Sequence, residues 1–299
     1  MRIGVDLGGT KIEVIALDES GKTLVRRRIA TPAGDYRSIL RAIKDLVSST
    51  EKQLGQTGTV GVGTPGAISN STGLMKNSNS VVLNGKPLSH DLAEELEREI
   101  RIENDANCFA LSEAIDGVAE KARIVFAAIL GTGVGAGLVV DKKVIVGRNR
   151  IAGEWGHNPL PWTAEKELQR RTCYCGKSGC VETFLSGAGL MHDYVAATGT
   201  QLSAEDISAA AASGDEKAVE CLTGYQERLA RGLASVINIC DPDIVVLGGG
   251  LSNLSSIYPE LPRLVERYAF TDRIETPIVS AKHGDSSGVR GAAWLWPAT

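Results

Sequence analysis

The chain has 299 residues and is 43% hydrophobic, which suffices for two domains of about 150 residues, each with its own core. Its formal net charge of −4 gives no sign of the basic surface that nucleic acids and anionic membranes require. No apolar run approaches the ~18 residues of a spanning helix, and the first residues read as a strand and turn rather than as a signal peptide. We therefore expect a cytoplasmic protein with neither a nucleic-acid nor a membrane partner.

Three strands separated by glycine turns are predicted at the amino terminus, over residues 2–29. Asp6 lies at the end of the first strand, and the segment that runs from it through the turn has the sequence Asp6-Leu7-Gly8-Gly9-Thr10-Lys11. Glycines let backbone N–H groups approach phosphate oxygens, and the adjacent aspartate can hold a magnesium ion through water. The segment is not a Walker loop, and a plain hairpin turn is the structural alternative.

Helix and buried strand alternate in the next part of the chain. Residues 35–54 have helical spacing, residues 59–69 form a buried strand that breaks into glycines, and residues 88–100 form a helix. Asn79, between the last two segments, is an ordinary loop residue and a modest candidate to line a substrate site.

A strand enters another helix at Asn104-Asp105. Asn and Asp are preferred helix caps, so the structural interpretation is that one of them is the cap. The functional interpretation is that Asp105 accepts the proton of a hydroxyl that attacks a phosphate, because phosphoryl transfer needs a carboxylate to orient the nucleophile.

The order of strand, glycine turn and strand recurs from residue 123 to residue 147. Its turn fits the dinucleotide pattern G-x-G-x-x-A, but a strand follows instead of a helix, which excludes a Rossmann site. A later buried strand breaks into glycines as residues 59–69 do, so we infer a duplicated α/β unit with a central cleft. The repeated turns, predicted to cradle phosphate and adenosine with the first one, are Gly131-Thr132-Gly133 and Gly248-Gly249-Gly250.

Within the second repeated unit lies an insertion, residues 153–182, that is rich in metal-ligating residues. Cys173, Cys175 and Cys180 form a C-x-C-x4-C cluster with His157 upstream. Three thiolates and an imidazole complete a tetrahedral set, which is typical of a structural zinc. Three unlinked thiols and a disulfide are the alternatives.

Two carboxylates, Glu154 and Glu182, flank this cluster in the sequence. A metal that fixes both chain segments would also fix these carboxylates near each other. Carboxylate oxygens accept strong hydrogen bonds from hydroxyl groups, so the pair suits a polyhydroxylated ligand. Solvated loop charges are the equally weighted alternative.

These elements predict a first domain over residues 1–118 and a second over residues 119–285 that carries the insertion. Residues 286–299 read as a small-residue helix that packs back, most simply on the first domain. Helices are also predicted over residues 204–212 and 216–239. The face of the longer helix that carries Tyr225, Leu229 and Val236 suits either a homodimer interface or burial within the chain.

The segments GEWGH and CYCGKSGCVE resemble the paired fingerprint of the ROK family, which comprises bacterial sugar kinases and sugar-sensing repressors with the actin-like ATPase (ribonuclease H-like) fold. The resemblance implies a structural zinc on His157, Cys173, Cys175 and Cys180. It implies sugar contacts from Asn104, Glu154, His157 and Glu182, with Asp105 contacting the sugar hydroxyl as general base. Asn79 is a further candidate for a sugar contact from its place in the loop. The three glycine turns resemble the phosphate and adenosine motifs of the actin, hexokinase and heat-shock ATPase superfamily. This implies contacts with ATP and magnesium from Asp6, Gly9, Thr10, Lys11, Gly131, Thr132, Gly133, Gly249 and Gly250. Gly8 and Gly248, in the same turns, are further candidates.

The function that we expect from this resemblance is ATP-dependent phosphorylation of a hexose. The segments GEWGHNPLPW, KNSNSVVLNG and AKHGDSSGVRGAAWLW look most like bacterial fructokinases or manno(fructo)kinases, so fructose, giving fructose 6-phosphate, ranks first and mannose is a side substrate. Glucose ranks next, then N-acetylglucosamine, whose kinases resemble the NDANCFALSEA and HGDSSGVRGAA stretches. A repressor is the alternative of a different class, but repressors add a helix-turn-helix domain before a core that here starts at residue 1.

Overall fold

The structure, a computed structural model, describes residues 1–32, 34–168, 171–284 and 287–297. Of the predicted carboxyl-terminal segment 286–299, residues 286, 298 and 299 lie outside this description. The described strands, β1 to β12, are Arg2–Leu7, Lys11–Leu17, Thr23–Ala30, Thr59–Thr64, Ala67–Ile68, Met75–Lys76, Ile100–Asn104, Ile124–Leu130, Val134–Val140, Lys143–Val144, Ile244–Gly248 and Ile278–Ser280. The described helices, α1 to α9, are Tyr36–Leu54, Leu88–Leu96, Asp105–Ile115, Glu182–Leu185, Gly187–Thr198, Ala204–Ala212, Glu216–Cys240, Leu261–Glu266 and Ser287–Ala293.

Two mixed five-stranded sheets have matching orders, β3-β2-β1-β4-β7 and β10-β9-β8-β11-β12. In the first sheet, β1 pairs antiparallel with β2 and parallel with β4. In the second, β11 pairs in parallel with both β8 and β12. The predicted duplication of an α/β unit is thereby confirmed.

The chain divides into two compact units. The first contains Met1–Glu120, Gly137–Ala152 and the carboxyl-terminal segment with α9; the second contains Lys121–Ala136 and Gly153–Gly284. The hairpin of β9 and β10 thus groups largely with the first unit, whereas the division at residue 118 assigned it to the second domain. The domain boundaries and the cleft between the domains stay predictions.

Glycines let α9 pack closely on the first sheet and on α3. A Cβ atom at Gly4 in β1 would lie 2.0 Å from the carbonyl oxygen of Val289, and one at Gly291 would lie 1.6 Å from the carbonyl oxygen of Cys108 in α3. Both distances are far below van der Waals contact, so the close approach requires glycine at both positions. The small-residue character of this segment is therefore a packing requirement of the first unit.

The core of the second unit surrounds α7. Tyr225 and Leu229 are fully buried and Val236 is 7% exposed, so this helix face packs within the chain instead of offering a surface to a partner. Helix α7 ends at Cys240 and is capped by Asp241 with a left-handed φ of 40°. That end agrees with the predicted stop at Asp241-Pro242.

Three predicted elements differ from the structure. Helix α2 ends at Leu96, short of residue 100, because Glu97 takes a left-handed φ of 53° and β7 begins at Ile100. Strand β10 has only two residues, and the positive φ angles of Asp141 and Lys142 turn the chain just before it. The sequence also predicts a helix after the third glycine turn, but a single 3₁₀ turn, Gly250–Asn253, lies there. Among the described residues, no helix is both long enough and apolar enough to cross a membrane.

Candidate functional site

The four predicted zinc ligands converge in the second unit. The ligand atoms of His157, Cys173, Cys175 and Cys180 all lie within 4.8 Å of one another. The Sγ of Cys173 is 3.5 Å from Nδ1 of His157, and the sulfurs of Cys175 and Cys180 are 3.6 Å apart. Tetrahedral zinc with Zn–S of about 2.3 Å and Zn–N of about 2.0 Å separates its ligands by roughly 3.5–3.8 Å. The donor set therefore fits zinc, and a sulfur separation of 3.6 Å is too long for the rival disulfide.

Glycines shape the loop that carries the cysteines. Gly176 and Gly179 have φ angles of 84° and 77°, a region that favours glycine over residues with a side chain. Between them the chain folds back, so that the N–H of Cys173 donates to the carbonyl of Lys177 at 2.8 Å. The glycines thus let the loop fold so that its thiols face one point.

Tyr174 is a contact that the sequence did not indicate. Its hydroxyl lies 2.9 Å from Nε2 of His157, and the two rings meet edge to face with centroids 5.1 Å apart. The hydrogen bond leaves Nδ1 to face Cys173, so it selects this nitrogen as the one that would bind a zinc ion. A tyrosine between two cysteines carries no signal in the sequence for such a contact.

A buried ion-pair network lies beneath the loop. The Arg171 guanidinium bonds to the Asp193 carboxylate and the Thr183 carbonyl, and it stacks 4.5 Å above the ring of Phe184. Glu167 accepts hydrogen bonds from Arg231 at 2.7 Å and from Arg228 at 3.0 Å. Burial acts to raise the pKa of Glu167, but the bonds from the arginines and a backbone N–H outweigh it and lower that pKa to about 2. The network ties the loop to α5 and α7.

The two predicted sugar carboxylates both lie next to this cluster in the chain and are partly exposed. Glu154 directly precedes the 3₁₀ turn Trp155–His157. One oxygen of Glu182 lies 3.7 Å from the Sγ of Cys173, and the other accepts the N–H of Val134 at 3.0 Å. The assignment of both residues to a sugar stays a prediction.

The glycine turns have the tight backbone that was predicted. The N–H of Gly8 donates to the carbonyl of Lys11, and that of Gly131 donates to the carbonyl of Gly133, each at 3.0 Å. Gly249 has a φ of 80°, and a Cβ atom there would lie 2.5 Å from the carbonyl oxygen of Leu130. The third turn therefore packs directly against the strand that leads into the second one. Nucleotide contacts from these turns stay predictions.

Asn104 is the cap of α3. Its side-chain oxygen accepts the N–H of Ala106 at 2.9 Å, and its amide nitrogen donates to the carbonyl of Gly66 at 3.1 Å. The same side-chain oxygen also accepts the N–H of Asn107 at 3.4 Å, so the sugar contact predicted for Asn104 would have to use the second N–H of this amide. Asn79 is exposed beside the 3₁₀ turn Val81–Leu83.

Asp105 is the first residue of α3, and burial raises the pKa of its carboxyl group. Backbone N–H bonds, including that of Ala106 at 2.9 Å, partly oppose this shift. A carboxylate with a raised pKa is a stronger base than an ordinary aspartate. The geometry thus gives this residue both a fixed position and the basicity that proton transfer needs.

Asp6, at the end of β1, has a pKa raised to about 7, first by burial and then by the charges of Asp105 and Glu13. Folding therefore disfavours the ionised form, and the wild type loses stability as pH rises from about 4 to about 7. We expect Asp6→Asn to be more stable than the wild type at pH 8 by roughly 2–4 kcal/mol, since each pKa unit corresponds to ~1.4 kcal/mol. Urea unfolding without ligands measures this. At pH 4 the variant should show little gain, and an equal gain at both pH values would contradict the assignment.

Comparisons with known proteins agree with this arrangement. The model of the ROK family matches residues 2–299. The chain is 44% identical over 299 residues to an N-acetyl-D-glucosamine kinase of Vibrio cholerae, and the match covers 99% of both proteins. It also superposes on a ROK hexokinase from Thermus thermophilus with a TM-score of 0.86 and 29% identity, over 98% of this chain and 96% of the other. For a ROK family glucokinase from Streptomyces griseus, in complex with glucose and AMPPNP, the TM-score is 0.78 at 27% identity, over 98% of both chains.

These matches extend over nearly the whole chain, so they include both sheets, the glycine turns and the cysteine loop. The expected α/β fold, with two duplicated five-stranded sheets as in actin-like ATPases, is confirmed. The chain belongs to the ROK family.

Proposed function

We propose that this protein transfers the γ-phosphoryl group of ATP to a hydroxyl of N-acetyl-D-glucosamine. The observation that carries the reaction class is Asp105, a desolvated carboxylate with a raised pKa at the junction of β7 and α3. The substrate rests on the relative from Vibrio cholerae, an N-acetyl-D-glucosamine kinase that is 44% identical over 99% of both chains. N-acetyl-D-glucosamine, which the sequence analysis ranked as an alternative, thus takes the place of fructose as the first candidate substrate.

In this proposal Asp105 takes the proton of the attacking sugar hydroxyl. The helix start fixes the carboxylate, and its raised pKa makes it a stronger base than an ordinary aspartate. Orientation of the nucleophile and stabilisation of charge supply most of the rate enhancement in phosphoryl transfer. Glu154 and Glu182 accept hydrogen bonds from the other hydroxyl groups of the sugar. The Nε2–H of His157, left as a donor when Nδ1 holds zinc, donates to a sugar oxygen in exchange for the Tyr174 hydroxyl.

The nucleotide is assigned to the three glycine turns. Tight turns present backbone N–H groups to phosphate oxygens. Each turn has an exposed residue that is accessible to a nucleotide: Gly9, Thr132 and Gly250. Asp6 would hold a magnesium ion through water; when bound, that ion neutralises charge on the phosphates.

The zinc would be held by His157, Cys173, Cys175 and Cys180. When bound, it supplies a rigid link between the chain segments that carry Glu154 and Glu182. The chain itself adds the Tyr174 hydroxyl, which fixes the imidazole of His157. It also adds the Arg171 network, which fixes the base of the loop.

Fructose is a second candidate substrate. The segments GEWGHNPLPW, KNSNSVVLNG and AKHGDSSGVRGAAWLW resemble those of bacterial fructokinases, and two of them carry proposed sugar contacts, Asn79, Glu154 and His157. Sugars that share most of their hydroxyl groups are separated by small shifts of such contacts.

The test is a competition between sugars. Purified protein with ATP and magnesium is assayed for ADP release with N-acetylglucosamine, fructose, mannose and glucose in parallel. We expect kcat/KM for N-acetylglucosamine to exceed the others by at least about tenfold, since a pocket that pairs the acetamido group leaves polar atoms unpaired with other sugars. A lead for fructose would keep the reaction and replace the substrate.

A further inference from the structure

We infer that Glu182 positions the nucleotide turn Gly131-Thr132-Gly133, in addition to contacting the sugar, and so couples the binding of the two substrates. The inference rests on the proposed function, which assigns this turn to the nucleotide and Glu182 to the sugar. All of the contacts that carry it lie within the second unit.

The carboxylate of Glu182 packs directly on the turn. Its Oε2 accepts the N–H of Val134, the residue after the turn, at 3.0 Å. A Cβ atom at Gly133 would lie 2.6 Å from the same oxygen, so position 133 must be glycine for the carboxylate to reach Val134. The contact with the Glu182 side chain therefore explains why the turn has a glycine at position 133.

The other end of the turn is held by the same stretch of chain. The N–H of Gly187 donates to the carbonyl of Gly131 at 2.8 Å. Residues 182–187 therefore bond to the residues at both ends of the turn, one through a carboxylate and one through the backbone. Any movement of this stretch changes where the N–H groups of the turn point.

This stretch is itself firmly anchored. The N–H of Val181 donates to the carbonyl of Asn158 at 2.8 Å, and the buried hydroxyl of Tyr225 donates to the carbonyl of Leu185 at 3.0 Å. Glu182 is thus the fixed partner, and the glycine turn is the part that it holds in place.

The two oxygens of Glu182 have different neighbours. Oε2 faces the turn, whereas Oε1 lies 3.7 Å from the Sγ of Cys173, on the side of the cysteine cluster. A sugar hydroxyl that donates to Oε1 would restrict the rotation of the carboxylate and so strengthen the order of the turn. Because coupling is reciprocal, an ordered turn with bound nucleotide would also favour sugar binding.

The experiment is isothermal titration of MgADP into zinc-loaded protein without any sugar. Glu182→Ala removes the acceptor of the Val134 N–H, so we expect Kd for MgADP to rise about three- to tenfold. Glu182→Gln keeps an amide oxygen as acceptor and should stay within about twofold of the wild type, although its sugar affinity falls with the lost charge. Zinc content, measured on each sample, confirms that the cluster is intact.

A double-mutant cycle gives a second, independent readout. Gly133→Ala pushes its methyl group against Glu182, so its effect on the MgADP affinity should shrink in the Glu182→Ala background. Gly131→Ala is the matched comparison, because its Cβ atom would meet protein atoms only at 3.9–4.0 Å and its effect should add to that of Glu182→Ala.

Three results would overturn the inference. They are wild-type affinity for MgADP in Glu182→Ala, equal losses in Glu182→Gln and Glu182→Ala, and strict additivity of Gly133→Ala with Glu182→Ala. Wild-type protein that does not bind MgADP at all would overturn the proposed function together with this inference, which separates the two failures.

Discussion

Asp105→Asn is expected to lower kcat by about 10²- to 10⁴-fold, the usual contribution of a general base, while the sugar affinity changes by less than about threefold. The amide has nearly the size of the carboxylate and can still accept the N–H of Ala106, so the start of α3 should be preserved. What the variant loses is the ability to take a proton. Steady-state kinetics for kcat and calorimetry for sugar binding measure the two quantities separately.

Asp35→Asn is the matched control for this prediction. Asp35 also lies at the start of a helix in the first unit, where it caps α1 by accepting the N–H groups of Arg37 and Ser38. Asparagine caps a helix equally well, so this variant should keep wild-type kcat. Turnover of Asp105→Asn that matched the control would remove Asp105 from the role of base.

The pH dependence of the wild type gives the same assignment a second test. A base must be ionised to act, so kcat/KM falls as pH drops below its pKa. Burial raises the pKa of Asp105, and that of Asp6 stands at about 7. The acid limb of the profile should therefore lie well above the value of 3.8 for an ordinary aspartate.

Cys180→Ser is expected to reduce the bound zinc from one equivalent to less than about 0.1 and to abolish measurable sugar binding. The sulfur of Cys180 lies 3.6 Å from that of Cys175, and the residue is only 1% exposed. A water molecule therefore cannot enter to take the place of the lost thiolate ligand. A structural zinc contributes its binding free energy to the fold, about 10–16 kcal/mol in zinc-finger peptides. A loss of only part of this would lower Tm by several degrees.

Cys240→Ser is the control, since this partly buried thiol at the end of α7 lies outside the cluster. Metal analysis and thermal unfolding of both variants measure the effect. A Cys180→Ser protein with a full equivalent of zinc and unchanged Tm would show that the four residues do not form the metal site.

Local patterns predicted much of the fold. The three strands predicted over residues 2–29 agree with β1, β2 and β3, which lie between Arg2 and Ala30, and α6 agrees at both ends. The helix α5, Gly187–Thr198, was not predicted, because its small and polar residues give little amphipathic contrast. The early end of α2 was missed because Glu97 takes a left-handed conformation, which a glutamate in the sequence does not indicate.

The convergence of one histidine and three cysteines was predictable because these residues are close in sequence and of distinctive type. The contact of Glu182 with Val134 was not, since it joins residues 48 positions apart through a backbone N–H that any residue except proline carries. Tyr174 was missed because its side chain acts through His157. The choice of sugar lies beyond both kinds of signal, because it depends on hydroxyl-level placement.

The central claim, ATP-dependent phosphorylation of N-acetylglucosamine, is tested most directly by product analysis. Zinc-loaded wild-type protein is incubated with MgATP and N-acetylglucosamine, and the products are quantified by ³¹P NMR and mass spectrometry. We predict ADP and a phosphorylated N-acetylglucosamine in equal amounts, both formed at least about a hundredfold more slowly by the Asp105→Asn variant. ADP without a phosphorylated sugar, or no ADP with any of the four sugars, would contradict the account.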